Sequence, residues 1–233
     1  MKRFYDKADA VRTSDGWAVA LDERTVKTPG RKPLAMASRK LADAIAAEWA
    51  GQEELIDPAA MPLTGLANAA IDRVTPGHAD FAAELAEYGD TDLLCYRADS
   101  PAELVANQCA AWDPLLEWAA RRFDIAFETT TGIVHRPQPE ATVARLRAAT
   151  EAYGPFHLAG LSPVVRIGGS LVAALALAEN AFDEDTVWAA TRVDEDWQAD
   201  KWGEDQEAIE TRDARRREFS AGMRFLRLLE AGD

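Results

Sequence analysis

Apolar and polar positions change their period once along this chain. Short apolar runs at Ala8–Thr13 and Trp17–Leu21 are parted by Ser14-Asp15-Gly16, and Asp22-Glu23-Arg24 precedes Thr25-Val26-Lys27-Thr28. Asp, Ser and Gly supply the dihedral angles of tight turns, so the pattern predicts an antiparallel meander closed by Pro29-Gly30, with a last edge strand over Pro33–Met36. From Ser38, a candidate helix N-cap, the period becomes helical. Leu41, Ile45 and Trp49 share one face; Leu63, Leu66, Ala67, Ala70, Ile71 and Val74 share another, up to Pro76-Gly77; Phe81, Leu85 and Tyr88 form a third stripe.

Further on, Ser100-Pro101-Ala102-Glu103 reads as a capping box that opens a helix through Leu104, Gln108 and Trp112. Asp113-Pro114 reads as the start of the next one, with Leu115, Trp118 and Ala119. Residues 125–134 are β-branched and predict an isolated hairpin or an extended loop. Helices resume after Pro137 and Pro139 and end at Gly154-Pro155, and Leu171–Phe182 predicts a buried helix. Asp183 caps another, and the last runs over about 204–230 with Phe219, Met223 and Leu226 inward. No repeat of 20–50 residues is present. The expected fold is α+β: a small antiparallel β-rich domain over residues 1–37 and a larger, mainly α-helical domain over 38–233.

Composition adds a core and a surface. Of 233 residues, 48% are hydrophobic and 28% charged, enough to fill a buried interior. The net charge of −14 argues against nucleic acid or an anionic membrane as partner. It is unevenly spread. Residues 1–40 hold ten Lys/Arg against five Asp/Glu, and residues 41–233 hold sixteen against thirty-five, which supports two domains with different surfaces. Cys95 and Cys109 form neither a CxxC nor a disulfide framework, so a reducing compartment is expected. The charged amino terminus has no apolar stretch behind it, and the run Leu171–Ala178 is too short to span a bilayer. The expectation is a soluble, cytoplasmic protein.

Chemistry is hard to find. No phosphate-binding GxxxxGK[ST], no GxGxxG after a strand and no GxSxG is present. His78, His135 and His157 lack metal-ligand spacing, and Cys95, between Leu94 and Tyr96, reads as a small buried apolar residue. Asp92 and Arg97 read as a structural ion pair. No cofactor, metal or nucleotide is expected. The unusual stretch is 183–213, with twelve Asp/Glu against three Lys/Arg, and in it Trp197 and Trp202 stand among the charges. Either these indoles are anchors on an interaction surface or they pack inward beneath a carboxylate coat.

Several segments, in order, resemble one family. They are Arg3-Phe4-Tyr5, Leu21-Asp22, Lys27-Thr28-Pro29, Glu48-Trp49 with Gln52, and Met61-Pro62-Leu63-Thr64 with Asn68. Thr91-Asp92-Leu93-Leu94-Cys95-Tyr96-Arg97 follows, then Gln108 with Trp112-Asp113-Pro114-Leu115, then Glu195-Asp196-Trp197-Gln198 and Trp202-Gly203. Together these resemble the chaperone family that binds the alpha subunit of the F-type ATP synthase, known in mitochondria as an F1-ATPase assembly factor; the match is loosest over 135–182.

The resemblance implies a β-rich domain followed by a helical one, no cofactor and no enzymatic activity. It implies a partner, the unassembled alpha subunit, bound by a protein that is monomeric when free. The family's functional glutamate falls on Glu195; Trp197 and Trp202, the aromatics of the acidic stretch, complete the expected partner-binding residues. A start at Met1 without a transit extension reads as a bacterial, cytoplasmic member, whose eukaryotic relatives work in the mitochondrial matrix. An adaptor unrelated to ATP synthase, or an enzyme with a site between the domains, are the alternatives.

Overall fold

The computed structural model describes residues 1–230; residues 231–233, the end of the expected helical domain, lie outside the described residues. The fold is α+β. Strands β1 (Ala8–Thr13), β2 (Gly16–Leu21), β3 (Arg24–Thr25) and β4 (Ala35–Met36) form an antiparallel sheet in which β2 pairs with all three others. The turn between β1 and β2 sets the register Thr13↔Gly16 to Ala8↔Leu21. Helices α1 (Arg39–Ala50), α2 (Pro62–Ala69) and α3 (His78–Ala86) follow, with a π-helical turn at Ala70–Val74. Then come β5 (Tyr96–Arg97), α4 (Ala102–Phe123), β6 (Thr130–Thr131), α5 (Glu140–Glu151), α6 (Pro155–Gly168) and α7 (Leu171–Ala178). The chain ends in α8 (Glu184–Ala190), α9 (Val193–Trp202) and α10 (Gln206–Glu230).

Two compact units emerge. One comprises Met1–His78, Gly154–Gly160 and the residues from Ala221 on; the other comprises Ala79–Tyr153 and Leu161–Ser220. In the first, α1 buries Leu41, Ala42, Ile45 and Ala46 against Val19, Leu34 and Met36 of the sheet region, with Phe225 in the same cluster. Full burial of side chains this size stabilises by about 1.5–3 kcal/mol each. Ser38 caps α1 as its sequence suggests, accepting from the Leu41 N–H at 3.2 Å. No side chain of its own turn caps α2. Glu48 of α1 does so instead, accepting from the N–H groups of Leu63 and Thr64, each at 2.8 Å, where a carboxylate suits the positive end of the helix. The Lys27-Thr28-Pro29 loop is fixed by Asp72, which accepts from the Thr28 hydroxyl and the Gly30 N–H, both at 2.7 Å. A Cβ at Gly30 would stand 2.5 Å from that carboxylate, so only glycine fits.

The second unit corrects the sequence reading in several places. Ser100 caps nothing: its hydroxyl binds Asp99, and the N-cap position of α4 is Pro101, which makes no side-chain capping bond. Pro114 opens no new helix; α4 runs unbroken over 22 residues. A mid-helix proline costs about 3 kcal/mol. Trp112, Leu115, Leu116 and Ala119 are buried on one continuous stripe around it, and their burial outweighs that cost. Residues 125–134 form no hairpin; β6 pairs parallel with β5, Tyr96 opposite Thr130. Residues 155–168, passed over in the sequence, form α6 with Pro163 inside it, and α7 stops at Ala178, short of Phe182. Cys109, on α4, is exposed.

Asp92 and Arg97 do not pair. Arg97 binds Asp113 at 2.7 Å and lies over the Trp112 ring at 5.2 Å. Asp92 is fully buried and accepts from the Leu94 N–H at 3.1 Å and the Val172 N–H at 3.0 Å, tying the turn Leu93–Cys95 to the start of α7. Burial pushes its pKa up to about 6, against the pull of these amides. An unfolded aspartate titrates near 3.9, so the native state holds the proton more tightly, and the resulting stabilisation fades as pH rises through 6. Relative to Asp92→Asn, the protein should therefore gain stability, on the order of 1 kcal/mol, between pH 7.5 and pH 5. Urea unfolding of both proteins across that range checks this; a constant difference between them would show that Asp92 titrates as it does when unfolded.

Candidate functional site

Helix α9 carries the residues singled out in the sequence. Its first turn holds Asp194, Glu195 and Asp196, where negative charge is stabilised by the helix dipole. Two of the three are committed to neighbours. Asp194 accepts from the buried Gln108 amide at 2.7 Å, and Gln108 in turn accepts from the Ala98 N–H at 2.8 Å. Asp196 accepts from Arg192 at 3.1 Å, a guanidinium buried over the Trp188 ring. Glu195 is exposed and has no hydrogen bond or ion pair among the described residues.

The two tryptophans divide the readings that the sequence left open. Trp202 is 74% exposed, while Trp197 is half-buried. Their rings meet edge to face at 5.6 Å, an attractive arrangement for aromatic quadrupoles. Lys201 lies 5.7 Å from the Trp197 ring centre and pairs with Glu103 of α4 at 2.8 Å. That ammonium holds the Glu103 carboxyl below its ordinary value. Trp197 is thus packed under a salt bridge, and Trp202 stands out from it. Gly203 follows at φ +79°, a backbone angle that turns the chain away from the indole.

Glu195 also borders two clefts. One, of about 490 Å³, lies between α9 and the start of α10, with Gln198, Ala199, Asp205, Ala208 and Arg215 on its walls. The other, of about 390 Å³, is walled by Leu93, Trp112, Gly168, Gly169 and Thr191. Gln198 lines both with Glu195. The sequence reading named Gln198 within its motif but assigned it no role; its spacing from Glu195 and Trp202 was the available signal. A larger groove of about 740 Å³ in the first unit, lined by Met1, Phe4, Tyr5, Leu21, Val26 and Trp49, went unnoticed because its residues come from separate segments.

Among the described residues, no three His, Cys, Asp or Glu side chains are placed to hold a metal ion. Burial pushes the Cys95 thiol up to about 12, with Asp92 adding to the rise, so it carries no thiolate near neutral pH. His135 contacts Tyr96 at 3.1 Å and Asp90 at 3.6 Å, away from the other histidines in sequence. No described helix is long and apolar enough to cross a membrane.

Residues 2–120 match the family described as ATP12 chaperone protein. The structure is similar to that of Atp12 from Paracoccus denitrificans, with 41% sequence identity, a TM-score of 0.93 and 98% of each chain covered. A variant of that protein with lysine in place of an aspartate matches with the same TM-score of 0.93. A protein from Agrobacterium tumefaciens is similar at 37% identity and a TM-score of 0.94, covering 98% of this chain and 86% of its own.

Proposed function

The chain belongs to the ATP12 chaperone protein family, and from that premise we propose that it binds the unassembled alpha subunit of the F-type ATP synthase, shields its subunit interface and promotes assembly of the catalytic sector. The observation that carries this reading is the likeness to Paracoccus Atp12 over 98% of both chains. The sequence resemblance supplies the client. The protein works as a cytoplasmic monomer and by binding alone.

The physics of the client explains the need. A subunit waiting for its partners exposes a large apolar surface that obligate assembly will bury, and such surfaces aggregate. A chaperone there needs only moderate affinity, since the permanent partner must displace it. The unpaired Glu195 and the exposed Trp202 support placing the contact on α9, with half-buried Trp197 as the support beneath. The test is gel filtration of the purified alpha subunit with this protein: a shared peak is expected, and separate elution at tens of micromolar, on the order of the weakest useful affinity, overturns the reading.

Binding kinetics should separate charge from packing. The stretch 183–213, with twelve acids against three bases, attracts at long range, and such steering acts on the encounter. Raising salt from about 50 to 300 mM should slow association about tenfold with little change in dissociation. Trp202→Ala should do the reverse, raising the off-rate by about tenfold or more through lost packed area. Association that ignores salt would move the contact to another face.

A further inference from the structure

Glu195, Gln198 and Trp202 form one stripe of α9, since seven residues turn a helix by about 700°, close to two full turns. All three are exposed, and none has a hydrogen bond or ion pair among the described residues. Their neighbours are the opposite: Asp194, Asp196 and Lys201 are each held by a partner, and Trp197 is packed beneath. The helix thus presents a carboxylate, an amide and an open indole face in line, on a backbone held by the residues between them.

We propose that this stripe binds an arginine side chain of the partner, its guanidinium forked on Glu195 and the Gln198 amide oxygen and its face on the Trp202 indole. Charge complementarity selects a cation. Around the stripe, Arg192 and Arg212 are bound to Asp196 and Glu204, and Arg166 to Glu84, which leaves Arg215 as the cation without a described partner on these cleft walls. Facing it are the uncommitted Glu195 and Glu207 and a segment rich in acid. Shape selects arginine over lysine. Only a planar fork donates to a carboxylate and to a neighbouring amide oxygen while its face stacks on an indole; an ammonium is a compact, strongly hydrated point charge.

The identity of the partner rests on the assembly-chaperone reading, but the chemistry can be tested without it. The full chain, labelled with ¹⁵N, is titrated with an arginine-containing pentapeptide, with its lysine counterpart, and separately with the purified alpha subunit. The arginine peptide should shift the Trp202 indole N–H and the Gln198 side-chain amide, and bind several-fold tighter than the lysine peptide. Glu195→Gln should weaken it about tenfold, Trp202→Ala several-fold, and Trp202→Phe should recover most of the loss. Equal affinity for both peptides, or shifts confined to other residues, overturns the proposal. If the alpha subunit binds wild type, Glu195→Gln and Trp202→Ala alike, the arginine site falls and the chaperone reading stands. If the alpha subunit does not bind but the arginine peptide shifts the stripe, the reverse holds.

Discussion

Trp112→Ala should destabilise the protein by about 3–5 kcal/mol, the cost of deleting a large buried aromatic and leaving a cavity. Trp112 is 1% exposed, its ring N–H donates to the Ala190 carbonyl at 2.6 Å, and Arg97 covers its face. One residue therefore ties α4 to the end of α8 and to the segment after Asp92. A loss of that size is a large part of the roughly 5–15 kcal/mol that holds a domain folded. Trp112→Phe keeps most of the volume but leaves the Ala190 carbonyl without its donor, a loss of about 1–3 kcal/mol. Urea unfolding followed by circular dichroism gives the comparison. A midpoint for Trp112→Ala no lower than that of Trp202→Ala would mean that the second unit relaxes around the gap.

Glu195→Lys should abolish client binding while the fold stays intact. Reversing an exposed charge elsewhere changes stability by about 0.5 kcal/mol or less, and in the first turn of α9 the helix dipole adds about 0.3–1 kcal/mol. Losing one partner of a desolvated ion pair costs about 2–5 kcal/mol of binding, and a lysine would add repulsion toward a cationic group on the client. The expectation is a loss of about 100-fold or more in affinity for the alpha subunit, with a melting temperature lowered only by the small helix-dipole contribution. A variant that melts several degrees lower and binds normally once folded would make Glu195 a structural residue.

Local rules made the architecture legible. Asp and Gly turns announced the meander, Ser38 announced α1, and the change from a period of two to one of 3.6 fell where the sheet gives way to helix. The motif residues behind the family resemblance were legible as letters but not as roles. Several prove to be joints: Thr28 on Asp72, Glu48 on the start of α2, Gln108 between Ala98 and Asp194, Asp92 on Leu94 and Val172. Asp92 went to a helix start 80 residues away rather than to nearby Arg97, because amide donors inside the protein satisfy a buried carboxylate. Sequence distance carries no trace of that choice. Pro114 was misread for a related reason: a local breaker lost to a buried stripe on both sides of it. At the site, the spacing of Glu195, Gln198 and Trp202 was visible from the start. Which of the three consecutive acids remained free depended on Arg192, a local i,i+4 partner of Asp196, and on Gln108, which only the folded chain brings to Asp194.

The first unit has a consequence for how the protein is made. Ser38, at the head of α1, donates its hydroxyl to the carbonyl of Leu228 at 2.6 Å, and Phe225, stacked on Phe156, lies in the cluster with Leu41 and Ile45. The ribosome adds about 5–20 residues per second, so about 10–40 s separate Ser38 from Leu228 in synthesis. Throughout that interval the earliest-made sheet and helix lack the wall of their interior that Phe225 supplies. A growing copy of this protein thus passes that interval with an uncovered apolar face, the condition from which it is proposed to protect another polypeptide.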